Sequence, residues 1–113
     1  MQQEQLKQRI DRVEECADQA KQACQKAGNV PQDLKQCVMS LHEQASATKH
    51  ATQGQESASE DSVRKDIAQL EETADRAMQA CRSAGNVDAQ LQQAVQRAHA
   101  EVSSLKKDLM QAA

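Results

Sequence analysis

Apolar residues recur along this chain at alternating steps of four and three. The first run is Leu6, Ile10, Val13, Ala17, Ala20, Cys24, Ala27, and the second is Leu34, Val38, Leu41, Ala45, Thr48. A third run is Val63, Ile67, Leu70, Ala74, Ala77, Cys81, Ala84. The fourth is Leu91, Val95, Ala98, Val102, Leu105, Leu109, Ala112. Alternation of four and three places each run on one stripe of a helix, at positions a and d of a heptad. The pattern predicts four helices of about 22 to 27 residues, each roughly 33–40 Å long at 1.5 Å per residue. A 3.5-residue repeat asks for a left-handed supercoil.

The four runs are two copies of one unit. At an offset of 57, the segments from Ile10 to His42 and from Ile67 to His99 share 17 identities over 33 positions. Ala27-Gly28-Asn29-Val30 returns as Ala84-Gly85-Asn86-Val87, and both glycines close an apolar run, where a left-handed helix cap is expected. Asn29 is the expected cap of the next helix, with Pro31 in its first turn, and Asp88 replaces that proline in the second copy. A connection this short turns the helices antiparallel. The expected fold is therefore all-α: an antiparallel up-down-up-down four-helix bundle of two duplicated hairpins with Ala-rich heptad packing.

One domain over residues 1–113 is expected, with hairpins at 3–52 and 58–113 and a polar linker at 53–57. Ser57-Ala58-Ser59-Glu60 matches a capping box for the third helix. The heptad slips by one residue across this region. A loop accounts for the slip, and so does a skip within one long central helix, which would suit a swapped dimer.

If small residues at g pack within each hairpin, Ala23 faces Cys37 and Ala80 faces Ala94. His42 and His99, at e, then look across to the other hairpin, toward Met78 and Lys21.

Composition narrows the function. Of the 38% apolar residues the largest share is Ala, and Phe, Tyr and Trp are absent. With 14 Lys+Arg against 17 Asp+Glu the net charge is −3. An acidic chain without stacking rings is not expected to bind nucleic acid. No run approaches a membrane span, and Met1-Gln2-Gln3-Glu4 lacks the basic start and apolar middle of a signal peptide. A cytoplasmic location with thiol cysteines is expected.

Candidate chemistry is sparse. Cys24 and Cys81 hold equivalent a positions on helices that would lie diagonally opposed, so two soft ligands could meet in one layer as a metal site or redox pair. Cysteine is equally a small core residue, and no CxxC spacing is present. Cys16 and Cys37 are Thr73 and Ala94 in the second copy, so the fold does not depend on them. Glu14-Glu15 and Glu71-Glu72 point about 100° apart on their helices and form no carboxylate pair. Glu-x-x-His motifs and Gly-rich phosphate loops are missing. The expected role is non-catalytic: a protein-protein interaction or scaffold module, self-association included, with no cofactor and no small-molecule ligand. Thiol-based soft-metal binding or a redox response through core cysteines is the alternative.

Overall fold

The structure is a computed structural model, which describes residues 3–28, 30–53, 60–85 and 87–111. Four helices make it up: α1 (Gln3–Lys26), α2 (Gln32–Gln53), α3 (Glu60–Ala84) and α4 (Ala89–Gln111). No strand occurs among the described residues. Each helix packs against two others, in the ring α1–α2–α3–α4–α1. Ion pairs fix the directions. Asp18 meets His42 while Asp11 meets Lys49 across α1 and α2, so one number falls as the other rises. Asp75 with His99 and Glu71 with Lys106 set α3 against α4 in the same way. The helices run up, down, up, down.

The apolar seam is the core. Every a and d position in the four runs is buried except those near helix ends, Leu6, Ala27 and Ala84, which are half-buried; Ala112 lies outside the described residues. The core divides into two clusters. One, away from the hairpin turns, holds Ile10, Leu41, Ile67, Leu70, Leu105 and their neighbours. The turn-end cluster sets Ala20, Cys24, Ala77 and Cys81 of α1 and α3 against Leu34, Val38, Leu91 and Val95 of α2 and α4. Small side chains stand opposite large ones in that layer. The bundle is accordingly slim, 41 × 25 × 17 Å.

The two turns differ. In the second, Gly85 takes φ +78° and its N–H donates to the Cys81 carbonyl at 3.4 Å, which is the left-handed cap. Gly28 does not take a positive φ, contrary to the sequence expectation. There α1 stops at Lys26, one residue earlier in the repeat than α3, so five residues rather than four span the turn. In this longer turn Gly28 itself needs no left-handed conformation. The carbonyls of Pro31 and Asp88 accept the first bonds of α2 and α4, from Lys35 and Gln92. Pro31 is thus itself the cap position rather than part of the first turn; Asn29 lies outside the described residues.

Of the linker expected at 53–57, Gln53 closes α2, and the rest lies outside the described residues with the capping-box serines. Helix α2 holds to that point although it is rich in threonine. Thr48 Oγ1 donates to the Gln44 carbonyl at 2.8 Å and Thr52 Oγ1 to the Thr48 carbonyl at 3.0 Å, so both buried hydroxyls are satisfied within the helix. Helices α2 and α3 pack side by side, and Thr73 Oγ1 donates to Gln44 Oε1 at 2.8 Å between them. The chain folds back at this point and does not continue as one central helix.

The hand of the bundle reverses the expected pairing of flanking positions. Within each hairpin the e positions meet: Lys49 Nζ lies 3.1 Å from Glu14 Oε2, and Lys106 Nζ lies 2.9 Å from Glu71 Oε1. The g positions meet between hairpins, as Gln44 does Thr73 and as Arg9, bonded to both Asp108 and Ser104, does Asp108. Ala23 therefore faces Ala94 and not Cys37. His42 and His99 do not reach toward Met78 and Lys21; their Nε2 atoms lie 3.4 Å from Asp18 and 3.6 Å from Asp75, each inside its own hairpin. Charge decides it. In the expected hand Asp108 would stand level with Asp66, a like charge, and in the observed hand it meets Arg9.

Candidate functional site

The g seams, lined by small residues, leave two shallow grooves on opposite sides of the turn-end half. The first lies between α1 and α4 and measures about 220 Å³. Gln19, Gln22, Ala23 and Lys26 form one wall, and Gln90, Gln93, Ala94 and Arg97 the other. The second, between α2 and α3, measures about 330 Å³ and is lined by Asp33, Gln36, Cys37, Ser40, Gln44, Thr73 and Arg76. The repeat relates them: Asp33, Gln36, Cys37 and Ser40 stand where Gln90, Gln93, Ala94 and Arg97 stand, and Arg76 where Gln19 does. Duplication has made one groove twice and left it with different charge.

Ala23 and Ala94 are buried at the floor of the first groove, so the backbones come close there and the walls are built by long polar side chains. Those walls carry two cations and no carboxylate. Lys26 and Arg97 make no ion pair or side-chain hydrogen bond with a described residue. In the second groove, Arg76 donates to Glu72 at 2.8 Å and Asp33 adds a negative charge.

Cys24 and Cys81 both sit in the turn-end core cluster, each about nine-tenths or more enclosed, and Cys37 packs half-buried against the same cluster. All four cysteines are free thiols. Burial pushes every one of them above the ordinary thiol value. For Cys24 the charge of Lys35 opposes this in part, and for Cys37 that of Arg76 does. The nearby Cys37 thiol adds to the rise at Cys81. Cys16, at the α1–α4 seam, is raised first by burial and then by Glu101, with Arg97 acting the other way. Among the described residues, no group of three or more His, Cys, Asp or Glu side chains is placed to hold a metal ion. Cys24 and Cys81 pack within the turn-end cluster as small core side chains.

His42 and His99 line neither groove. Sequence reasoning missed both grooves because it placed the g seams inside the hairpins. The signal that would have located them is the Arg9–Asp108 charge match at g. Among the described residues no helix is long and apolar enough to cross a membrane. Comparison with protein-family models, curated proteins and solved structures finds no match to this chain.

Proposed function

We propose that this chain is a non-catalytic interaction module that presents the two repeat-related grooves to a protein partner. The observation that carries the reading is the placement of reactive groups: Cys16, Cys24 and Cys81 are buried with raised pKa, Cys37 alone reaches a groove and has no histidine in that lining, and His42 and His99 are set beside aspartates away from the grooves. Catalysis by nucleophile and base needs such groups to converge on one space. What the surface offers instead is glutamine-rich and open, able to exchange hydrogen bonds with a docked chain. Four free thiols suit a reducing compartment such as the cytoplasm.

A photo-crosslinking amino acid at Gln93, in the α1–α4 groove, tests this against the same group at exposed Lys65. The reading expects a protein adduct of defined mass from Gln93 and none from Lys65; an adduct with a second copy would identify self-association. Equal, diffuse labelling from both positions, or none from either, would end it.

A further inference from the structure

We infer that the groove between α1 and α4 docks an acidic segment of a protein partner, with Lys26 and Arg97 gripping its carboxylates; this rests on the interaction-module reading and names its ligand.

Charge sets this groove apart from its repeat-related sister. In a molecule with 17 acidic and 14 basic residues, this groove has no carboxylate in its walls. Four cations elsewhere are matched, Arg9 with Asp108, Lys49 with Glu14, Arg76 with Glu72 and Lys106 with Glu71, and others that pair with no described residue, such as Arg82 and Lys107, line neither groove. Lys26 and Arg97 are left without a described ion-pair partner at opposite walls of one channel. The acids that come nearest along their own helices are Glu101, one turn beyond Arg97, and Asp18 on α1, which accepts from Gln22 at 3.1 Å, and neither lines the groove. The sister groove is the internal control. It has the same backbone plan, but Asp33 stands in it, Ser40 replaces the arginine, and Arg76 is held by Glu72. Its charge is cancelled.

The floor suits a peptide. Ala23 and Ala94 keep it flat, and the amides of Gln19, Gln90 and Gln93, with the oxygen of Gln22 whose nitrogen donates to Asp18, can donate and accept as a peptide backbone requires. Guanidinium and ammonium groups bind carboxylates by charge-assisted hydrogen bonds, which are the stronger kind. A nucleic acid is the less fitting anion: the chain has no aromatic residue on which a base could stack, and its net charge is negative.

The test is an amide-detected NMR titration of the full chain with a blocked helical peptide of Glu and Ala. A Gln-for-Glu version of the peptide and a single-stranded oligonucleotide serve as the other arms. The Glu peptide should shift amides at 19–26 and 90–97, and sodium chloride should weaken it. K26E/R97E should lose about tenfold or more in affinity, with K26Q/R97Q intermediate and both folded by circular dichroism. R82E/K107E, which removes cations outside the groove, should bind as wild type does. Equal binding of the Gln peptide, indifference to K26E/R97E, or tighter binding of the oligonucleotide in this groove would overturn the inference. A partner without an acidic segment captured at Gln93 would sink this inference alone, whereas no capture at all would sink the reading beneath it.

Discussion

Two residue types, glycine and alanine, set how tightly the hairpins close. Gly85 stands at φ +78°, where an added Cβ meets no neighbour but the backbone itself disfavours a side chain. Gly28 has the same open surroundings without the positive φ. Gly85→Ala should therefore lower stability by about 1–2 kcal/mol. Gly28→Ala should be neutral or stabilising by up to about 1 kcal/mol, since it restricts only the unfolded chain. Urea midpoints of the two variants check this, and equal losses would contradict it. At the core, Ala20 and Ala77 are fully buried opposite Leu and Val of α2 and α4. Enlarging either to Leu overfills a layer whose large partners are already in place. A loss of about 1–3 kcal/mol is expected for each, and a higher melting temperature would show the layer to be underpacked.

Each hairpin is held along its outer seam by paired e positions, and the repeat supplies the same ion pair twice, Glu14 with Lys49 and Glu71 with Lys106. The side-chain hydrogen bond from Lys106, opposed in part by burial, holds the Glu71 carboxyl below its ordinary range. A carboxyl lowered in the folded state contributes stability that is complete above its unfolded pKa and is lost as pH falls through the folded value. The stability gap between wild type and Glu71→Gln should be present at neutral pH and shrink in the acid range; thermal melts across that range measure it. A gap that widened on acidification would contradict the assignment. The half-exposed setting keeps the effect small. The element scale was largely legible beforehand: the four runs located the helices because burial follows the a and d stripe, as at Ile10, Leu41, Ile67 and Leu105. Helix ends were less legible. Pro31 could sit in the first turn or at the cap by propensity alone, and only its carbonyl bond to Lys35 decides.

At the scale of the whole molecule, the hand of the bundle governs everything that follows, because it chooses which seams carry the charged e lines and which the small g residues. Duplication hid it. Glu14 and Glu71 find a lysine at the right height in either hand, since Lys49 and Lys106 are repeat equivalents. The discriminating residues, Arg9, Asp66 and Asp108, lie outside the matched segments. The grooves, and with them the candidate site, were illegible for that reason. The direct measurement is a cross-link. In a chain with its native cysteines replaced by Ala or Ser, Ala23→Cys with Ala94→Cys should bridge under mild oxidation through the α1–α4 seam. Ala80→Cys with Ala94→Cys, neighbours only in the opposite hand, should stay open. Bridging of the second pair and not the first would place the g seams inside the hairpins and remove the groove on which the proposed docking depends.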